Sequence, residues 1–182
     1  MKRAIVTPAA LSPAALAELK DWLGITTPAD DAQLAALLRA ALDLCEDFTG
    51  IMPLQQDCEE VLPLFPGWQV LRTRPVQAIT GVLGIPAEGA RFALPLSSYA
   101  IDLDADGAGR VRMGHAGAAG RIAVRFTAGI APDWASLPDA LRHGVLRLAA
   151  FQYRQREGDS AAPMPPAAVA ALWRPWRRLR LA

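Results

Sequence analysis

An α+β fold is predicted for this chain: a helical bundle of two long helices plus short helices, with a small, mostly antiparallel β-sheet region. Three observations predict it. Apolar residues recur every three to four positions over two segments, Asp31 to Thr49 and Leu137 to Glu157, the period of one helix face. The stretch between them carries short alternating runs bounded by Gly, Pro and Asp. Those runs lie too close together for crossover helices, so they must pair antiparallel. Helices, then strands, then helices is an α+β order. At 182 residues the chain fits one domain, taken as residues 1–172, with a C-terminal segment at 173–182.

The first helix is expected to start at Ser12, an N-cap, with Pro13 in the first helical position. Leu16, Leu19, Trp22 and Leu23 form its face, and Gly24 ends it. Thr27-Pro28 turns the chain. Asp30 or Asp31 then caps the second helix and complements its positive end. Leu34, Leu37, Leu38, Ala41, Leu42 and Cys45 make the apolar stripe, Phe48 extends it, and Gly50 closes it. Val61 to Leu64 and Trp68 to Arg72 flank Pro66-Gly67 and read as a hairpin. Pro75-Val76 opens a strand through Ile79, Val82 and Leu83. Tyr99 to Leu103 and Arg110 to Met113 flank Asp104-Ala105-Asp106-Gly107, a second hairpin signal. Arg121 to Phe126 alternates most cleanly and stops at Ala128-Gly129. Pro138 sits at the first turn of the later long helix, whose face is Leu141, Val145, Leu148 and Ala149. Gly158 to Pro166 reads as a loop, Ala167 to Leu172 as a short helix, and the remainder as an exposed tail.

About half the residues are apolar, enough for a true core. No apolar run is long enough to cross a membrane. The basic start Met1-Lys2-Arg3 is followed by a stretch broken at Pro8 and Pro13, a poor secretory leader, so a cytosolic setting is expected. Two cysteines, Cys45 and Cys58, make neither a disulfide framework nor a zinc site. Cys45 falls on a helix's apolar face and reads as a buried thiol. A net charge of +1 gives no bulk signal for nucleic acid. The distribution is uneven, however. Asp43, Glu46, Asp47, Asp57, Glu59 and Glu60 form an acidic stretch, and the C-terminus is basic. That pairing suits head-to-tail contact between copies or partners, although most such clusters are solvated faces.

No catalytic constellation stands out. Asp102, Asp104, Asp106 and Gly107 match the first half of a calcium loop, but the position needing a bidentate carboxylate is Met113, so a hairpin turn is expected. Gly114, Gly117 and Gly120 precede a strand, where a phosphate loop needs a helix N-terminus. His115 and His143 are the only histidines, and neither has a nucleophile nearby in sequence. A hydrolase built on either one is a third-ranked reading. No cofactor is expected.

Trp173, Arg174, Trp176, Arg177, Arg178 and Arg180 are the candidate site. Tryptophan and arginine concentrate at the energetic centres of interfaces. These residues can dock on a partner, fold back onto their own domain, or bind nucleic-acid phosphates through arginine.

Several segments together resemble the head-tail connector (adaptor) family of tailed bacteriophages, which includes adaptors of gene transfer agents. They are the Asp-Asp helix start with the ending Glu46-Asp47-Phe48-Thr49-Gly50, then Gln55 leading into strands; Arg74-Pro75-Val76 with Ile79 and Val82; Val124 to Gly129; and Leu137-Pro138-Asp139-Ala140-Leu141 through Tyr153-Arg154-Gln155-Arg156-Glu157. The resemblance runs from about Leu19 to Arg177. Phe126 replaces the family's commoner tyrosine, and Gly114 to Gly120 is unusually glycine-rich. The resemblance implies a structural protein with no active site, in a ring of about a dozen copies beneath the portal. The ring would extend the DNA channel without gripping DNA and join capsid to tail. Implied partners are the portal protein, reached by the C-terminal segment, the next tail component (a stopper or tail terminator), and copies of itself packed through the two long helices. The implied location is the bacterial cytoplasm during assembly, then the particle neck. The alternative function is nucleic-acid binding through the Arg/Trp tail.

Overall fold

The computed structural model describes residues 3–155 and 165–177. The chain divides into two compact units. A sheet unit takes the N-terminal segment up to Ala9 together with Gln55–Gly129. A helical unit takes Ala10–Leu54 and the chain from Ile130 onward.

The sheet unit holds two antiparallel sheets. Five strands, β1 (Arg3–Thr7), β2 (Gln56–Pro63), β4 (Val76–Pro86), β5 (Phe92–Ala93) and β8 (Ala119–Ala128), lie in the order β1-β2-β8-β4-β5. Three more, β3 (Trp68–Val70), β6 (Tyr99–Leu103) and β7 (Gly109–Met113), lie in the order β3-β7-β6. The alternation in Arg121–Phe126 marks the central strand: β8 pairs with β2 on one side and β4 on the other, and Ile122, Val124 and Phe126 are buried. Gly107 closes the β6–β7 hairpin at φ +77°, pressed so close to Pro75 that a Cβ would lie 2.5 Å from that ring's Cβ. The calcium-like aspartates therefore serve a turn. Asp104 pairs with Arg110, and Asp106 accepts from Arg74 at 2.8 Å.

The helical unit contains α1 (Pro13–Leu23), α2 (Asp31–Thr49), α3 (Asp139–Arg154) and α4 (Ala167–Trp173). Three of the four cap signals act as the sequence implies, while Asp30 stands at the N-cap of α2 without a capping hydrogen bond from its side chain. Ser12 Oγ accepts from the Ala14 amide, and Gly24 and Gly50 adopt the left-handed conformation that ends α1 and α2. The stripe Leu34, Leu38, Ala41 and Cys45 is fully buried, and α2 packs along α3. Tyr153 Oη donates to Asp30 at 2.7 Å and Lys20 pairs with Asp31 at 2.6 Å, tying the start of α2 to α3 and α1.

Two expectations need correction. The chain is α+β, but it is not a two-helix bundle with a small sheet attached: eight strands in two sheets build a unit of their own, against four α-helices among the described residues. The sheet was underestimated because its outer strands, β1 and β5, carry no alternation that a window can register. The hairpin expected across Pro66-Gly67 is also absent. β2 has both edges taken, by β1 and β8, so β3 crosses to the second sheet and pairs with β7. The later long helix begins at Asp139, with Pro138 as its N-cap, and is described to Arg154; Arg156, Glu157 and most of the loop expected over 158–166 lie outside the described residues.

Candidate assembly surfaces

The C-terminal segment is rooted by a notch in a helix. Gly144 lies inside α3, and a Cβ there would lie 2.1 Å from the indole Nε1 of Trp173. Glycine weakens a helix interior, so its presence here reflects what it admits. Trp173 fills the space, is completely buried, and donates through Nε1 to the Leu141 carbonyl at 3.4 Å. Its ring leans on Phe48, with centroids 6.1 Å apart, and the Arg177 guanidinium covers the Phe48 ring at 5.4 Å. Trp173 therefore folds back into its own unit and offers no surface to a partner. Beyond it a single 3-10 turn, Arg174–Trp176, leaves Trp176 half-buried and Arg174 and Arg177 exposed. Arg178 and Arg180 lie outside the described residues.

The long helices give a related result. Leu141, Val145, Leu148 and Ala149 of α3 are buried, and α3 packs against α1, α2 and α4. The apolar stripes expected to meet neighbouring copies are covered within the chain. A shallow groove between α1 and α3 is lined by Glu18, Asp21, Trp22, Asp139, Arg142, His143 and Leu146. In it the His143 ring stands edge-on to Trp22, with centroids 5.3 Å apart and planes at 80°. His115 is exposed in the other unit, so the two histidines occupy separate regions. Among the described residues no group of three or more metal-capable side chains gathers.

The acidic stretch is partly absorbed as well. Glu60 is buried, and its carboxylate accepts from the Arg72 amide at 3.0 Å, the Thr73 amide at 2.9 Å and the Thr73 hydroxyl at 2.7 Å. Glu59, also buried, holds Arg91 at 2.6 Å and Arg125 at 3.2 Å. A buried carboxylate needs such partners to offset its desolvation. These glutamates brace the sheet unit.

No protein-family model and no curated protein matches the chain. Solved structures do match, end to end. One, from the neck of an empty gene transfer agent (GTA) particle computed with C6 symmetry, has a TM-score of 0.80 and 28% identity, covering 100% of this chain and 98% of the other. A second, from the virion of a native GTA particle, has a TM-score of 0.75 and 30% identity over the same shares. The chain belongs to the head-tail connector (adaptor) family. A third, from the neck of a native GTA particle computed with C12 symmetry, has a TM-score of 0.77 and 29% identity, again covering 100% and 98%.

In this adaptor the exposed large apolar side chains concentrate where sequence reasoning did not look. Leu64, Phe65, Trp68 and Val70 lie in and before β3, and Leu96, Ile101 and Leu103 in and before β6. A signal existed: Leu64-Phe65 and Leu96 are large apolar residues set among Pro, Gly and Ser, where turn residues are normally polar.

Proposed function

We propose that this chain is a structural head-to-tail adaptor in the neck of a phage-like particle of the gene transfer agent kind. It forms a ring beneath the portal, extends the DNA channel and joins capsid to tail. The observation that carries this reading is the match over 100% of this chain and 98% of chains from gene transfer agent particles, two of them from necks computed with C6 and C12 symmetry. A rotational ring multiplies shallow contacts, so each one can be weak. The role needs no catalytic group and no cofactor. It also suits a net charge of +1, because a strongly basic wall would hold DNA instead of letting it pass. Assembly takes place in the bacterial cytoplasm, and the product resides in the neck.

Docking on the portal falls to the arginine-bearing end: Arg174, Trp176 and Arg177, with Arg178 and Arg180 following. Trp173 supports this as a root, since it fixes where that end leaves the helical unit. The tail-side partner is a stopper or tail terminator. Replacing Arg174, Arg177, Arg178 and Arg180 by Glu, with Trp173 left in place, is expected to give a folded protein missing from purified necks. Normal incorporation would reject the docking role. Binding of DNA by the wild-type chain that weakens steeply with salt and disappears in this variant would favour the nucleic-acid reading instead.

A further inference from the structure

A ring of more than two copies needs two different surfaces on each copy, because the contact is head-to-tail. Tryptophan and arginine concentrate at the energetic centres of such contacts. Of the chain's five tryptophans, two are exposed among the described residues: Trp22 (44%) in the helical unit and Trp68 (42%) in the sheet unit. Their surroundings carry opposite charge. Trp22 lines the groove between α1 and α3, which encloses about 710 Å³ and is wide enough to admit an indole. Three carboxylates, Glu18, Asp21 and Asp139, line that groove against one guanidinium, Arg142. Arg142 is taken by Asp139 at 2.8 Å, which leaves Glu18 and Asp21 without an ion pair among the described residues. At Trp68 the sign is reversed. The β3–β7 register sets Trp68 opposite Arg112 and Val70 opposite Arg110, so these four side chains share one face of the small sheet. Arg110 is neutralised by Asp104, while Arg112 stacks on Trp68 at 5.0 Å and has no carboxylate partner among the described residues. Arg72, exposed and likewise without a carboxylate partner, follows two residues after Val70. The acid on this face, Asp102, belongs to β6, on the far side of β7.

We propose that the Trp68 face of one adaptor copy's sheet unit seats in the Trp22 groove of the next copy's helical unit, and that this contact closes the ring. The occupant of the groove is a second copy of this chain, and the proposal rests on the ring-forming reading above. Trp68 enters beside Trp22, His143 and Leu146, the aromatic and apolar part of the lining. Arg72 and Arg112 come to the rim, where the carboxylates of Glu18 and Asp21 accept from them. Arginine suits this place, since its guanidinium stacks on an indole through its face and donates through its edge. The two surfaces lie on different units of one chain, so each copy offers one of each. The same step then repeats around the ring with no two-fold axis. The charges also reject the wrong pairings. Groove against groove sets carboxylates together, and face against face sets guanidiniums together, so only the head-to-tail contact joins opposite signs.

The test uses assembled particles carrying Asp21→Cys and Val70→Cys together, treated with a short bis-maleimide. The native Cys45 and Cys58 are buried and stay silent. The expected product is a ladder of covalent multimers running up to the closed ring. Either substitution alone should give monomers, and the two single variants co-expressed should give dimers and nothing larger. Monomers from the double variant, in necks where microscopy shows the ring intact, would overturn the contact and leave the adaptor reading standing. Dimers from Asp21→Cys alone would also overturn it, since that means a two-fold contact. Wild-type particles whose necks lack the chain would overturn both readings. Charge exchange gives a second readout. Glu18→Arg with Asp21→Arg, or Arg72→Glu with Arg112→Glu, should melt near the wild-type temperature yet leave the neck ring missing. Co-expressing these two variants should restore it, because unlike copies then alternate around an even-numbered ring. A complete ring from either variant alone, or no ring from the two folded variants together, would count against the proposal.

Discussion

The two units of this adaptor treat apolar surface in opposite ways. The helical unit covers its own: the α2 stripe is fully buried, and the tryptophan that looked like a free anchor is locked over Gly144. The sheet unit buries charge, with Glu59 and Glu60 inside, while leaving large apolar side chains along two strand edges. One unit keeps its apolar stripes inside, and the other leaves apolar side chains on its surface. Amphipathic patterning alone therefore did not mark an exposed apolar surface, since the strongest helical stripes are covered within the chain.

The largest expected effect breaks the helical unit. Trp173→Ala should destabilise the protein by about 4 kcal/mol, the range for removing a fully buried aromatic ring. Its partner substitution sharpens the point. Gly144→Ala places a methyl where the indole sits, so it should cost about 2 kcal/mol in the wild-type background. With Trp173→Ala present the clash is gone, and Gly144→Ala should stabilise by up to about 1 kcal/mol, the helix preference of alanine over glycine. Denaturant melts of the four proteins read both effects. A Gly144→Ala cost that persists without the indole would show that some other contact occupies the notch.

Cys45 gives the helical unit a pH signature. Burial, reinforced by the neighbouring Glu46 charge, pushes its thiol up to about 12 from an ordinary 9.0. Between those values the unfolded chain releases the proton and the folded chain keeps it. Stability is therefore complete below pH 9 and falls as pH rises toward 12, by roughly 4 kcal/mol in the limit. Cys45→Ala should flatten that decline relative to wild type, whatever its offset at neutral pH. Equal slopes for the two proteins from pH 9 to 11 would mean that the thiol ionises freely in the folded state.

In the sheet unit, Glu60→Ala is expected to cost about 3 kcal/mol, because it strands two amides and a hydroxyl that no other group accepts from in this geometry. Glu60→Gln, which retains an acceptor oxygen, should recover part of it. A wild-type melting curve for Glu60→Ala would mean that water replaces the carboxylate and that the bracing is not internal.

What the sequence made legible follows from the range of each interaction. α1 and α2 end where local signals end them: Ser12 with Pro13, Gly24 and Gly50. β8 was clear because a central strand alternates on its own account. β1 was not, since Arg3–Thr7 resembles the basic start of a leader and is a strand only by pairing with β2, far along the chain. The Pro66-Gly67 turn was present in sequence but lost to a non-local competitor, the double pairing of β2. Trp173 read as loose because the residue that receives it, Gly144, lies on another helix. A glycine in the interior of an otherwise apolar helix was the one available hint. The acidic stretch misled for the same reason: Arg125 on β8 and Arg91 just before β5 neutralise Glu59 from far along the chain.

The smallest expected effect on stability is the one that most sharpens the contrast between units. Val70→Lys, Ile101→Lys and Leu103→Lys each exchange a roughly half-exposed apolar side chain for a long one whose ammonium reaches water. Each should change the stability of the isolated chain by no more than about 0.5 kcal/mol, the usual range for surface sites. The same exchange at Leu34, which is fully buried, should abolish folding. Losses above about 2 kcal/mol at these edge positions would mean that these side chains support their own sheet. The sheet unit would then treat these side chains as the helical unit treats its own stripes, as part of the packing that holds it folded.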